Sequence, residues 1–248
     1  DILIRNGWLV DGTGNPRYPA DVAIQGDRIV AVGTLHGAEA HTVIDAAGKI
    51  VCPGFVDSHS HTDWTITGNP TAQSTIRQGI TTEIVGNCGY SNAPITDADR
   101  KTVVGRLLAY GHEGPVGWST TAEYLQAVAD IGFTPNLAWF VGHNTVREAT
   151  GVVGSAVTEE QMRLMEGFVR EAMEAGALGL STGLEFDPGR MATTEEIVRL
   201  NKVVGEHDGY YASHIRNRDS ELLPAVQEFL DVVRLGGSRG MLSHLNVR

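Results

Sequence analysis

Side chains of the types that bind transition metals follow several apolar, strand-like runs of the chain. Two of them form a pair in GFVDSHSHTD, where His59 and His61 are two residues apart. In an extended chain this spacing sends both imidazoles to the same face, about 7 Å apart along the strand. Two neutral imidazoles on one face can bind a divalent metal ion, although an H-x-H pair alone is weak evidence for a site.

Three further residues of ligand type strengthen this interpretation. Cys88 lies between glycines in VGNCGYS, and His214 and His244 lie in YASHIRN and MLSHLNV. The two histidines share a Ser-His-aliphatic frame and are 30 residues apart, which is the length of one βα unit. In a barrel the carboxyl ends of all strands meet at one mouth. The pattern therefore predicts one metal site, and a thiolate with imidazoles favours zinc over magnesium or calcium.

The remaining histidines and the second cysteine have structural explanations. We predict that His143, after the third barrel strand, hydrogen-bonds a neighbouring loop, and that Cys52 packs as a small hydrophobic residue. The other four histidines fall away from strand ends and are predicted to lie on the surface: His36, His41, His112 and His207.

Strand and helix patterns alternate from about residue 51 onward. The strand candidates are residues 50–57, 81–87, 136–142, 177–183, 210–215 and 240–245. A helix is predicted over 158–176, where Thr158 and Gln161 have the spacing of an N-terminal capping box. A second helix is predicted after Thr193, with Glu196 as the other residue of its capping box. No Gly-rich nucleotide fingerprint follows the first strand, so a (β/α)8 barrel is favoured over a doubly wound sheet.

Composition limits the class of protein. The 248 residues carry a formal net charge of −11, which makes nucleic acid and anionic membrane surfaces unfavourable partners. No apolar run reaches about 18 residues, the start of the chain lacks a secretory signal pattern, and two cysteines are too few for a disulfide scaffold. We therefore expect a soluble, cytoplasmic enzyme.

The chain resembles the amidohydrolase superfamily and, within it, the N-acyl-D-amino-acid deacylase (D-aminoacylase) family. GNCG combined with GLSTGLE…PG is far more specific than the H-x-H pair. The resemblance runs over essentially the whole chain and is carried by DILIRNGWLVDGTGNPRYPADVAIQGDRIVAVG, CPGFVDSHSHTD, TTEIVGNCGYS, GALGLSTGLEFDPGRMATTEEI, YYASHIRNRD and SHLNV.

The resemblance implies a TIM-type (β/α)8 barrel, with about six strands in this chain, and a small β-sandwich built from both chain ends. Residues 1–52 would belong to the sandwich, and residues 53–248 to a metal-dependent barrel that is incomplete at its C-terminus. It also implies a tightly held zinc ion on Cys88, His214 and His244, and a weaker second position near the His59 and His61 pair. Cys88 would take the place that a carbamylated lysine holds in many relatives.

The implied reaction is zinc-dependent hydrolysis of the amide bond of N-acyl-D-amino acids, giving a carboxylate and a free D-amino acid. The partner would be this small-molecule substrate, with no nucleic acid and no membrane. In the family the general base is an aspartate at the end of the eighth strand, which is absent here. No catalytic residue is therefore assigned, and this chain alone is expected to be inactive.

Two positions depart from the family pattern. Asn246 stands where many members have a lysine, and Phe186 where many have a tyrosine after GLE. Candidates for substrate contact are Asp63, Arg216 and Asn246, although a salt bridge to a carboxylate explains Arg216 equally well. The preference between acidic and hydrophobic D-amino acids therefore stays open.

Two alternatives stay open at this stage. One is a cyclic-amide hydrolase of the dihydroorotase or hydantoinase kind, or a D-peptide hydrolase. The cyclic-amide enzymes usually carry a strand-end lysine for carbamylation, and none is seen in this sequence. The other is a metal-free homologue that kept the fold without the activity, which the five intact ligand-type residues argue against.

Overall fold

A computed structural model describes residues 1–246 of the chain. Val247, the last residue of the SHLNV segment, lies outside the described residues, as does Arg248. The chain divides into two compact units, one formed by Asp1–Phe55 and one that begins at Val56. None of the described helices is long and apolar enough to cross a membrane.

The first unit is one five-stranded sheet. Its strands are β1 Ile2–Leu9, β2 Tyr18–Gln25, β3 Arg28–Gly33, β4 Thr42–Asp45 and β5 Ile50–Val51. Strand β1 pairs with β2 in antiparallel fashion and with β4 and β5 in parallel. A turn at Gly26 and Asp27 joins β2 to β3, and Gly26 takes the left-handed conformation (φ +59°) that such a turn favours. The described residues of this unit form a single sheet, and the expected sandwich stays a prediction.

The second unit contains a six-stranded sheet whose strands pair in chain order, and its first strand begins one residue before the unit boundary, at Phe55. Its strands are β6 Phe55–Asp57, β7 Ile80–Val85, β8 Asn136–Gly142, β9 Gly179–Gly183, β10 Tyr210–His214 and β11 Arg239–Ser243. Every pairing from β7 to β11 is parallel. Sequential parallel order with intervening helices is the arrangement of a (β/α)8 barrel, and six strands are confirmed as a curled part of one. The first predicted strand, residues 50–57, divides into β5, which pairs with β1, and β6, which belongs to the barrel.

Helices connect these strands. They are α1 Gln73–Ile76, α2 Arg100–Ala109, α3 Thr121–Ile131, α4 His143–Ala149, α5 Glu159–Glu174, α6 Thr194–Glu206 and α7 Leu222–Gly236. Short 3-10 turns occur at Thr62–Trp64 and Gly189–Met191. A spacing of three and four residues predicts one apolar stripe along α5, formed by Met162, Met165, Val169 and Met173. This stripe is buried against the β8–β9 region, so its methionines are core residues.

The two capping predictions have different outcomes. Thr158 and Gln161 form the full capping box at the start of α5. At α6 the Thr193 hydroxyl accepts from the Glu196 N–H at 3.2 Å, but the Glu196 carboxylate does not return to the cap. It instead binds two buried side chains of α4, His143 and Arg147. The prediction that Glu196 completes a box is therefore wrong, because buried donors compete for its carboxylate.

Candidate metal centre

The five predicted ligand residues lie at the carboxyl ends of their strands. His59 and His61 follow β6, Cys88 follows β7, His214 is the last residue of β10, and His244 follows β11. Since the strands are parallel and curled, these ends face a common volume.

The ligand-type atoms of these residues converge on Cys88. Its Sγ lies 3.4 Å from His59 Nε2, 3.7 Å from His214 Nδ1 and 3.3 Å from His244 Nε2. Two groups, each with ligand atoms within 4.8 Å of one another, therefore share the thiol: one adds His59 and His61, and the other adds His214 and His244.

These distances fit a tetrahedral zinc ion. With Zn–S about 2.3 Å and Zn–N about 2.0–2.1 Å, tetrahedral ligands place sulfur and nitrogen about 3.5 Å apart. The three measured Sγ–N distances lie on either side of this value. The Nδ1 atom of His61 is buried without a hydrogen-bond partner among the described residues, as expected for a side chain that is complete only with an ion.

Burial keeps the imidazoles in the form that binds metal. It lowers the pKa of His59 to about 4, helped by the neighbouring His244 and His61 rings, and it also lowers the pKa of His61 and of His244. Without a cation, burial raises the pKa of the Cys88 thiol to about 12. Binding a divalent ion would reverse this preference, because a coordinating thiol is deprotonated.

A carboxylate outside the cluster orients His214. Glu185 Oε2 lies 3.0 Å from His214 Nε2 and 3.0 Å from Arg218 Nη2. The hydrogen bond from Arg218 is the largest of several effects that lower the pKa of Glu185 to about 2. An ionised Glu185 accepts the Nε2–H, so the lone pair of His214 lies on Nδ1, the atom that faces Cys88.

The backbone at two ligands is in the left-handed region, at φ +54° for Cys88 and +51° for His244. This conformation is uncommon outside glycine and must be held by the surrounding structure. Close backbone packing holds it at Cys88: a Cβ atom on Gly183, at the end of β9, would clash with the Cys88 carbonyl oxygen. Gly183 therefore permits the position of the thiol.

Replacing Gly183 by alanine is expected to lower the free energy of unfolding by about 1–3 kcal/mol, because the added methyl overpacks against backbone atoms. It should also weaken zinc binding, since Cys88 must move. Denaturant unfolding and zinc titration of the full-length protein check this. The matched control is Gly167→Ala within α5, where the methyl meets open space and helix propensity should raise stability by up to about 1 kcal/mol. Equal stability of the two variants would contradict the packing argument.

A cavity of about 410 Å³ opens beside the cluster. Aromatic side chains from three strand ends form its wall, and no described aspartate or glutamate lines it. Its lining residues are His61, Trp64, Cys88, Tyr90, Phe186, His214 and His244. The cavity can therefore hold an uncharged organic group directly against the candidate metal ligands.

The structure does not bring the three candidate substrate residues into this cavity wall. Asp63 is fully buried, and burial raises the pKa of its carboxyl to about 7. Arg216 donates to Glu228, as the salt-bridge alternative predicts. Asn246 is nearer to the site, where its Oδ1 accepts from Arg218 at 3.3 Å. A substrate role for each of the three stays a prediction.

Other histidine and cysteine predictions have mixed outcomes. His143 is buried and hydrogen-bonded, but to helix α6 through Glu196 rather than to a loop. His112 is buried against Trp118, with ring centroids 5.6 Å apart, so its predicted surface position is wrong. Cys52 follows the short strand β5 and is exposed, so it does not pack as predicted.

Sequence reasoning missed the Glu185 and Arg218 pair that orients His214. Both residues lie shortly after strand ends, Glu185 two residues after β9 and Arg218 four residues after β10. A search of the sequence for Asp, Glu and Arg that follow a predicted strand, as well as for His and Cys, would find both residues.

Comparison with known proteins agrees with this geometry. The profile of the amidohydrolase family matches residues 42–219, which is most of the chain. The chain therefore belongs to the amidohydrolase family.

Within that family the similarity is to D-aminoacylases, which confirms the resemblance stated from the sequence. The D-aminoacylase of Alcaligenes xylosoxydans xylosoxydans is 37% identical over 248 residues, covering 100% of this chain and 51% of that protein. A D-aminoacylase structure described for its binuclear metal centre matches with a TM-score of 0.92 and 34% identity, over 100% of this chain and 52% of that one.

A third match is the N-acyl-D-glutamate deacylase of Bordetella bronchiseptica, solved with zinc and a phosphonate that mimics the tetrahedral intermediate. It has a TM-score of 0.87 and 36% identity, covering 97% of this chain and 50% of that one. The chain thus spans about half the length of the relatives it matches.

Proposed function

We propose that the protein to which this chain belongs is a zinc-dependent hydrolase of N-acyl-D-amino acids. The observation that carries the proposal is the convergence of Cys88, His214 and His244 within ligand distance at the mouth of an amidohydrolase barrel. Relatives named as deacylases of N-acyl-D-amino acids match over the whole chain or nearly so. The partner is then a small-molecule N-acyl-amino acid, with neither nucleic acid nor a membrane involved.

The donor set supports zinc as the metal. The proposed tight zinc position is formed by Cys88 with His214 and His244, which offer a thiolate and two neutral imidazoles. The proposed weaker zinc position lies at His59 and His61. When bound, zinc supplies Lewis-acid chemistry, polarising a carbonyl and lowering the pKa of a water molecule to about 7.

The described residues have distinct tasks in this proposal. Glu185 fixes the tautomer and orientation of His214. Trp64, Tyr90 and Phe186 form an apolar wall that limits access of water and packs against the uncharged part of the substrate. No described carboxylate lines the cavity, so the general base is proposed to be the family's aspartate on a later strand. The cytoplasmic location stays a prediction.

Hydrolysis is tested on the full-length protein with a panel of N-acetyl-D- and N-acetyl-L-amino acids. We expect release of the free amine from D-substrates only, detected by chromatography. A chelator should abolish this activity, and zinc added back should restore it, because the ligand cluster has no other source of Lewis acidity.

Two results separate the proposal from its alternatives. Activity on hydantoins or dihydroorotate without activity on linear N-acyl-D-amino acids would support a cyclic-amide hydrolase. A protein that does not retain zinc at neutral pH and hydrolyses none of these substrates would be a non-catalytic homologue.

A further inference from the structure

A buried carboxylate on the strand that leads to Cys88 is hydrogen-bonded to the segment that carries His59 and His61. Glu83, in the middle of β7, is 2% exposed. Its Oε1 accepts hydrogen bonds from Ser60 Oγ at 2.9 Å and from Thr62 Oγ1 at 2.7 Å. These two hydroxyl residues alternate with the two histidines along the segment His-Ser-His-Thr.

Further bonds fix the backbone of the same segment against the end of β7. The Ser60 N–H donates to the Ile84 carbonyl at 2.9 Å, and Asn87 Nδ2 donates to the Ser60 carbonyl at 3.3 Å. The Ser60 hydroxyl also accepts from the Thr62 N–H at 3.2 Å. Every polar group of Ser60 is therefore bonded, and its hydroxyl has two side-chain acceptors in reach, Glu83 Oε1 at 2.9 Å and the Thr62 hydroxyl at 2.7 Å.

We propose that Glu83 is a positioning residue for His59 and His61, acting through the Ser60 and Thr62 hydroxyls. The inference rests on the proposed metal centre and specifies how its weaker position is built. A buried carboxylate is costly unless hydrogen bonds stabilise it. The two hydroxyls supply such bonds to Oε1, and in return the carboxylate holds the segment that carries His59 and His61 at a fixed distance from Cys88.

Glu83 is hydrogen-bonded next to only one of the two ligand groups, the one that contains His59 and His61. Its hydrogen bonds reach Ser60 and Thr62, whereas the carboxylate that orients His214 is Glu185. Loss of Glu83 is therefore expected to weaken the His59–His61 position and to spare the position formed by Cys88, His214 and His244.

The test is a zinc titration of the metal-free, full-length protein against a chromogenic chelator, with cobalt as a spectroscopic probe. Wild-type protein should bind two equivalents, and the thiolate-to-cobalt absorption should report on Cys88. In Glu83→Ala the weaker equivalent should lose roughly 10- to 100-fold in affinity, the usual effect of removing a group that orients metal ligands. The tighter equivalent and the cobalt absorption should change by less than about threefold.

Two further variants distinguish positioning from a general role in folding. Glu83→Gln keeps an acceptor oxygen for both hydroxyls and should retain most of the affinity. Thr62→Val has nearly the same shape but removes one donor, so it should reproduce part of the loss even if Glu83→Ala does not fold. The matched control is Thr81→Val, an exposed threonine on the same strand, which should bind zinc as wild type does.

The outcomes are distinguishable. Unchanged affinity in Glu83→Ala or in Thr62→Val overturns the positioning role, as does an equal loss at both positions. Wild-type protein that binds one equivalent overturns this inference alone, because the position that Glu83 would build is then missing. Wild-type protein that binds no zinc overturns the proposed metal centre as well.

Discussion

Replacing Cys88 by alanine is expected to lower the zinc affinity of the full-length protein by roughly a hundredfold to a thousandfold. The free energy of zinc binding to a four-ligand site is about 10–16 kcal/mol, so one ligand contributes about 2.5–4 kcal/mol. Cys88 is common to both ligand groups, and its loss should also remove the proposed zinc-dependent hydrolysis. Competition with a chelator measures the affinity, and product release measures the activity.

The chain offers a matched control for this substitution. Cys52→Ala removes the other thiol, which is exposed and does not belong to either ligand group. It should leave zinc affinity and hydrolysis unchanged. If Cys88→Ala retains zinc as tightly as Cys52→Ala does, the assigned cluster does not hold the metal.

Replacing Glu196 by alanine is expected to lower the free energy of unfolding by about 3–5 kcal/mol. The reason is that Arg147 is fully buried and its guanidinium would lose its carboxylate partner. His143 would lose a hydrogen bond of 2.8 Å at the same time. Urea unfolding measures the loss, and Glu195→Ala, an exposed neighbour in α6, should change stability by less than about 0.5 kcal/mol.

The effect of Glu196 should depend on pH in a defined direction. Burial raises the pKa of Glu196, but the hydrogen bonds and charges of His143 and Arg147 outweigh it, and the pKa is lowered overall from 4.5. Its contribution is therefore fully present above pH 4.5 and is lost as the pH falls through the lower folded-state value. The stability difference between wild type and Glu196→Ala should shrink in that range. A difference that grows on acidification would contradict the ion pair.

The convergence of the five candidate ligand residues could be predicted from the sequence because their signals are local. His59 and His61 have the spacing that places two rings on one face, and His214 and His244 end apolar runs of strand length. Cys88 stands out because its neighbours are glycines and an asparagine. In each case a few adjacent residues determine where the side chain lies on its strand, and the barrel brings the strand ends together.

Other features depend on contacts between distant parts of the chain. Glu196 fits the local pattern of a helix cap, but two donors from α4, about 50 residues earlier, bind its carboxylate instead. His112 has no strand-end position, and its burial follows from packing on Trp118. The hydrogen bonds of Glu83 and Glu185 likewise join residues that are more than 20 positions apart in the chain, and no local pattern specifies them.

The left-handed backbone at Cys88 and His244 bears on attempts to graft this cluster onto another scaffold. A designer who copies only the side chains would start from host positions whose chain runs in ordinary extended or helical form. Forcing two non-glycine residues into the rarer conformation costs about 1–2 kcal/mol each, and the host must also provide a residue without a side chain where Gly183 stands. Transferring the site to another protein therefore requires the whole loops that carry Cys88 and His244, together with the neighbouring strand. The ligand side chains alone are not enough.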